Sequence, residues 1–432
     1  MDWTTLKHTL SPKQRFNRDV LWNVASLVVL GVSGIALYII IGKYRGAAAL
    51  GVFNQVYAIY IVLSQLAVGG VHASVLKHVS HNQGNAEKCS HITSTALLLA
   101  LLLSGLVCLA AYFGKAWAGR FLDSPGVAAG MTYAIPGLLF FSLNKILLNV
   151  LNGARNMRAF AVFNALRFIL ILITLIVIIA AGMSADCLPL GFTVAEVFLF
   201  VGLMVYVNAH LFVLRVPAAL RDWLAEHLSF GYRGMLNGLV SDLNSRVDVL
   251  MLGYFCADEH VGVYTMAATV AEGFFLLPVA LQRNLNPIIG KYFAEGDIAK
   301  IQDVARRMRR ITHAGMAMLG LAAALAFPLL IGLFFPDRSF SGSWPVFCIL
   351  AVGIVIYSGY ALMDGILSQG GRPGAHTLLM FCTVTGNAVL NAALIPSLGI
   401  IGAATATACA YVLQAALLLT FTKRIFGIRL WR

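Results

Sequence analysis

Asp242, Asn244, Arg246 and Asp248 alternate with apolar residues inside one apolar stretch, and Asn237 precedes them by about a turn and a half. The next apolar stretch carries Glu272 and, further along, Arg283. Lys145, Arg167, Glu196 and Asp364 are likewise embedded among aliphatic residues. An ionisable group in lipid costs about 2.5–3.5 kcal/mol on insertion scales, so each is a functional candidate. Arginine suits phosphate because its planar fork donates two parallel hydrogen bonds. Arg246, Arg283, Lys145 and Arg167, helped by the amides of Asn237 and Asn244, therefore read as binders of a phosphate-bearing substrate. Glu272, Asp242, Asp248 and Asp364 read as carriers of a coupling proton or sodium ion. Asp242 and Arg246 lie four apart and are expected to pair along one helix face.

The elements that place these side chains are apolar stretches of membrane-spanning length. They run over 20–42, 47–72, 91–113, 127–150, 159–182 and 189–214, then over 233–256, 261–288, 312–335, 344–368, 374–396 and 400–422. A helix crossing the hydrocarbon needs about 20 mostly apolar residues, whereas a strand of an outer-membrane barrel needs about 10 that alternate. The chain is 59% hydrophobic and 11% charged, too apolar for a soluble fold to cover. The expected fold is an all-α polytopic membrane protein of about 12 transmembrane helices.

Basic residues set the expected orientation, because Lys and Arg are retained on the cytoplasmic side. Counted from an inside N-terminus, 22 of the 31 fall in inside loops, five outside and four within the apolar stretches. Both termini are thus expected in the cytoplasm. The formal charge of +13 is explained by this placement beside helix ends and requires no nucleic acid. The first apolar run is long and lacks an A-x-A site, so no cleavable signal is read.

The chain reads as two halves: an N-terminal six-helix lobe over 1–214, a linker with an interfacial helix over 215–232, and a C-terminal six-helix lobe over 233–432. Gly51-Val52-Phe53 is echoed by Gly262-Val263-Tyr264, Gln83-Gly84-Asn85 by Glu295-Gly296-Asp297, and Asn152-Gly153-Ala154-Arg155 by Gln369-Gly370-Gly371-Arg372. All three pairs are offset by 211 to 217 residues. Six helices per half give parallel repeats, an architecture of transporters that rock one half against the other. A polar cavity between the halves is the expected site.

No catalytic motif is present: G-x-S-x-G, H-E-x-x-H and the phosphate-binding glycine loop are all missing. The chain therefore reads as a transporter rather than an enzyme, with no cofactor. His72, His78, His81, Cys89 and His91 gather near one loop, read as solvated and without metal. The seven cysteines form no framework, although Cys187 and Cys256 could pair by location. Residues 297–311 form an amphipathic segment, with Ile298, Ile301, Ala305, Met308 and Ile311 opposite five basic residues, and are expected on the membrane surface.

Several motifs in order carry a resemblance. They are Leu50-Gly51-Val52-Phe53 followed by Gly69-Gly70, then Asn152-Gly153 before Arg155, and the run from Arg246 through Asp248-Val249-Leu250-Met251-Leu252-Gly253, Val261-Gly262-Val263-Tyr264, Leu277-Pro278 and Pro287 to Gly296-Asp297. The chain resembles the polysaccharide transporters of the multidrug/oligosaccharidyl-lipid/polysaccharide (MOP) superfamily. The resemblance implies two six-helix lobes in a V, with a cavity lined by the first, second, seventh and eighth helices. It implies an undecaprenyl-diphosphate-linked oligosaccharide repeat unit turned to the periplasmic leaflet of a bacterial inner membrane, for O-antigen, capsule or exopolysaccharide. Expected partners are that lipid-linked substrate, membrane lipids, a proton or sodium ion, and the polysaccharide polymerase and chain-length machinery. The first stretch has only Asn23 and Ser26 beyond Asp19, which leaves the anion site to the second half. The rivals are a cation-coupled drug exporter, a polysaccharide polymerase or ligase, and an assembly scaffold. The exporter should favour acids over arginines, and the enzymes need a large outside loop where none here exceeds about 20 residues.

Overall fold

The computed structural model of the protein describes residues 12–217 and 220–430. The helices are α1 (Pro12–Val68), α2 (Val71–His81), α3 (Ala86–Phe121), α4 (Pro125–Gly153), α5 (Met157–Ala180), α6 (Leu190–His210), α7 (Leu220–Phe255), α8 (Asp258–Ala294), α9 (Ile298–Phe334), α10 (Ser343–Ala361), α11 (Ile366–Gln369) and α12 (Pro373–Phe426). Among the described residues there is no strand.

Two of these helices are each a pair of spans. α1 bends at Gly46, whose φ of 84° and ψ of 177° interrupt the helix, and α12 bends at Gly399 with φ 55° and ψ −130°. Only glycine takes such angles without a steric penalty. The turns expected at 42–46 and near 399 are therefore hinges inside continuous runs. Nine helical stretches among the described residues are long and apolar enough to cross a membrane, and the bent α1 and α12 are two of them. α7 falls below that hydropathy threshold because it carries the densest set of charges, yet it has the length. Counting each arm of α1 and α12, twelve helical segments have spanning length, so the fold is the polytopic all-α one.

Contacts divide the chain into two compact units. One comprises the chain up to Leu37, Tyr60–Lys115 and Ala129–Leu236, and the other Tyr38–Ile59, Ala116–Ala128 and the chain from Asn237 onward. In the first unit Val71, Val75 and Val79 of α2 pack with Ile92 and Ala96 of α3 and Ile146 of α4. Leu147 and Leu151 of α4 pack with Leu199 and Leu203 of α6. In the second, Leu252 of α7, Tyr264 and Ala267 of α8, Phe347 and Leu350 of α10 and Ala403 of α12 form the main core.

Three sequence expectations change. The 36 residues of α7 span about 54 Å, well over the ~30 Å of hydrocarbon, so its opening turns project beyond the membrane. The separate interfacial helix expected over 215–232 is this projection. Trp223 and Leu224 pack against the first unit's core, so protein rather than lipid covers the apolar side. The segment 297–311 is likewise the start of α9, with Ile301 and Ala305 buried against the second unit's core. Its apolar face was satisfied by protein, which sequence periodicity alone could not distinguish from a membrane surface. The histidine loop is helical, as α2, with Ser74 buried. Cys187 and Cys256 are both free thiols.

His227, in the projecting part of α7, is fully buried. Its Nδ1 lies 2.9 Å from Ser74 Oγ and its Nε2 3.1 Å from the Ile92 carbonyl. Beside it His78 Nε2 meets Glu226 at 3.1 Å. Burial pushes the His227 pKa down to about 4, and His78 is also lowered, by burial and then by Lys77, against the opposing pull of Glu226. A ring kept neutral when folded contributes fully above the ordinary value near 6.5, and that contribution is lost as pH falls towards 4. Between about pH 7 and about pH 4.5 the purified protein should lose on the order of 2 kcal/mol through His227. Thermal unfolding across that range checks this, and His227→Gln should flatten the dependence relative to the parent.

Candidate functional site

Residues Arg246 and Asp248 are two apart on α7, hence about 200° apart around the helix, and they meet different neighbours. Asp248 is buried and accepts four hydrogen bonds. Tyr264 of α8 donates at 2.9 Å and Thr407 of α12 at 2.6 Å to one carboxylate oxygen. The amides of Asn387 and Asn391 donate to the other at 2.9 and 3.0 Å. Those asparagines are four apart, which stacks both amides on one face of α12. Every donor is neutral, and among the described residues no cation pairs with Asp248. Oδ1 of Asn391 is buried without a hydrogen-bond partner among the described residues.

Arg246 turns towards α8, where its Nη1 lies 3.6 Å from Glu272. Its guanidinium also sits 5.0 Å from the Tyr57 ring centroid, a cation–π distance. The pairing expected between Asp242 and Arg246 is thus replaced by a contact between helices. The pair is asymmetric: Arg246 is 17% exposed and Glu272 52%. Asp364, beyond the end of α10, accepts from Tyr357 at 2.9 Å and from Gln414 at 3.2 Å, and His376 lies 3.5 Å away.

A cavity of about 280 Å³ inside the second unit joins these groups, lined by Asn244, Arg246, Asp248, Glu272, Asp364 and Gln414 among others. Three carboxylates face one guanidinium there, so this cavity favours cations rather than anions. Arg283, further along α8, is exposed and makes no ion pair among the described residues. Asp242 is half-buried. The side chain of Asn237 lies outside the described residues, as do those of Asp19 and Asn23.

The first unit holds the other charges. Arg167 of α5 grips Glu196 of α6, with Nε 2.6 Å from Oε1 and Nη2 3.3 Å from Oε2. Asn144 of α4 donates to the same carboxylate at 2.7 Å and to the Glu196 carbonyl at 2.8 Å. Glu196 is 2% exposed, so its expected approach to water does not occur. The Arg167 charge, expected to hold phosphate, is already neutralised. Lys145 stands 5.4 Å and Arg167 4.7 Å from the centroid of the same Phe141 ring.

Tyr264, Tyr357, His376, Asn387, Asn391, Thr407 and Gln414 were absent from the sequence expectation. Asn387 and Asn391 had a signal: two amides at helical spacing in an apolar stretch need a shared partner. The others are ordinary core residues until folding brings an acid beside them.

Buried acids answered by neutral donors, on twelve spanning helices, define an integral membrane protein with the fold of the MOP superfamily. Solved structures share that fold. An inward-facing multidrug resistance MATE family transporter of the superfamily matches with TM-score 0.79 at 13% identity, over 95% of this chain and 98% of that one. The lipid II flippase MurJ, in an inward closed conformation, matches with TM-score 0.76 at 15% identity, over 94% and 87%. The chain belongs to the family described as polysaccharide biosynthesis protein, whose model matches residues 81–339. Two relatives from Haloferax volcanii are named "Probable flippase AglR", 24% identical over 86% of this chain and 76% of its own length, and "Probable low-salt glycan biosynthesis flippase Agl15", 22% identical over 91% and 79%.

Removing one partner of a buried ion pair strands the other and costs about 3–5 kcal/mol. Glu196→Gln should therefore lower the apparent Tm sharply, as should Arg167→Met. The double replacement Arg167→Met with Glu196→Met should recover much of the loss, measured by thermal unfolding of the purified variants.

Proposed function

We propose that this protein is a flippase for a lipid-linked oligosaccharide in glycan assembly. Membership of the polysaccharide biosynthesis family carries the reading, and the names of both relatives support it. The substrate is an undecaprenyl-diphosphate-linked repeat unit, passed from the cytoplasmic to the periplasmic leaflet of a bacterial inner membrane by alternating access. Both termini lie in the cytoplasm on the charge distribution, and the lobes over 1–214 and 233–432 are the moving bodies. The unit delivered outside would feed the polymerase and chain-length machinery of O-antigen, capsule or exopolysaccharide synthesis.

The diphosphate is assigned to Arg246 and Arg283, with Lys145 as a further cation and the amides of Asn237 and Asn244 beside them. Arg246 suits the role because its pairing to the exposed Glu272 is long, which leaves guanidinium donors for an anion. Arg167 is set aside, since Glu196 already satisfies it. Asp248 is the proposed site of the coupling proton or sodium ion. A carboxylate held by neutral donors keeps its charge for an incoming cation, and the unpartnered Asn391 oxygen offers a further ligand. Asp364 lines the same cavity as a second acid, and Asp242 and Glu272 add negative charge nearby.

In a host lacking the gene, surface glycan should disappear while lipid-linked repeat units accumulate on the cytoplasmic face. Arg246→Ala and Arg283→Ala should each reduce restored glycan at least tenfold, and Asp248→Asn should abolish it with protein levels unchanged. Full display with both arginine variants would overturn the assignment. Repeat units already outside would indicate a polymerase or ligase. An intact surface with altered drug tolerance would indicate an exporter, for which the acid-lined cavity would suit a cationic substrate.

A further inference from the structure

The duplicated Gly-Val-aromatic motifs play no part in the charge chemistry, yet in the second unit they meet one another. A Cβ at Gly51 would overlap the carbonyl oxygen of Asp258, and a Cβ at Gly262 would overlap the carbonyl oxygen of Ala47. Each glycine thus receives the carbonyl four residues before the other. One step along both helices, Asn54 donates to Thr265 at 3.2 Å. Ala47 and Asp258, Gly51 and Gly262, and Asn54 and Thr265 are each separated by 211 residues. Positions 47, 51 and 54 form one stripe on α1, and 258, 262 and 265 form its counterpart on α8. Equivalent stripes of the two sequence repeats therefore cross about a local twofold, like an isologous interface.

The contact consists of small and polar residues with backbone against backbone. Such a surface lets helices approach closely without interlocking large side chains, so it can part without repacking a core. One feature breaks the symmetry. Where one repeat has Ala47 the other has Asp258, whose carboxylate accepts from Gln55 at 2.5 Å and from Ser124 at 2.8 Å. Gln55 and Ser124 are buried. Ser124 lies in the turn between α3 and α4, so Asp258 ties that turn and α1 to the first turn of α8. At the same end Phe121 and Tyr254 bring their rings to 4.8 Å between centroids.

We propose that this reciprocal glycine crossing is the outer closure of the transport pathway, and that Asp258 is its latch. The proposal rests on the flippase reading for its place in a cycle, since the charge-derived orientation puts the starts of both helices at the outer face. Release of substrate outside then requires the stripe to separate and Asp258 to surrender both hydrogen bonds.

Cys256, half-buried two residues before Asp258, is a native reporter. In a chain retaining it as the single cysteine, membrane-impermeant maleimide added outside should label it faster once the latch is weakened. Ser124→Ala and Asp258→Ala should raise the rate by roughly fivefold for each hydrogen bond removed. Gly51→Val should raise it further, and Ser124→Ala carries the test if that variant does not reach the membrane. Unchanged labelling in Ser124→Ala and Asp258→Ala overturns the latch. In a background without native cysteines, a disulfide from Ser124→Cys with Asp258→Cys should stop glycan delivery until a reductant is added, and delivery with that bond intact overturns the closure. The labelling needs no substrate, so a labelling response in a protein that moves no glycan would separate failure of the flippase reading from failure of this one.

Discussion

Hydrocarbon offers no hydrogen bonds, so any polar atom placed there must be answered by the protein itself. That constraint organises both compact units. In the first, one carboxylate, one guanidinium and one carboxamide on three successive helices close a neutral cluster at Glu196. In the second, a lone carboxylate at Asp248 is answered only by dipoles. The two solutions differ in what they leave over. An ion pair cancels its own field and becomes a structural fixture. A carboxylate among neutral donors keeps its negative charge, and so keeps an interest in cations.

The same constraint explains why α7 falls below the hydropathy of a lipid-facing span. Its charged side chains can stay in the membrane only where other helices cover them, so its polarity requires the packing of α8 and α12 around it. The opening turns of α7 meet another demand. Longer than the hydrocarbon is thick, the helix must cover its projecting apolar side with protein, and Trp223, Leu224 and His227 do so against α2 and α3. The start of α9 resolves its apolar face in the same way.

Close approach is the second organising need, because lipid supplies no hydrophobic drive between helices and packing must do the work. At Gly51 and Gly262 the absence of a side chain brings two backbones together, and the duplication makes the contact reciprocal. A repeated sequence can pack against its own copy wherever the two faces are self-complementary. Asp258 adds a polar tie to one copy alone. A contact between equivalents is thereby given a direction.

Composition and periodicity alone determined the spanning helices, since apolar runs of membrane length have one viable backbone in lipid. The bends at Gly46 and Gly399 were also legible there as short turns, and the duplication as a constant offset. So was the list of charged candidates, because a charge among aliphatic residues is conspicuous in one dimension. Tertiary structure decided their partners. Arg246 meets Glu272 instead of Asp242, since a neighbouring helix offered better geometry than the same face. Arg167 and Glu196, 29 residues apart, cancel, which no spacing rule requires. Asn387, Asn391 and Thr407 acquired a role only when folding carried them to Asp248, more than 130 residues away. A sequence fixes which groups lipid will not tolerate alone, whereas their partners depend on distances that exist only after the helices have packed.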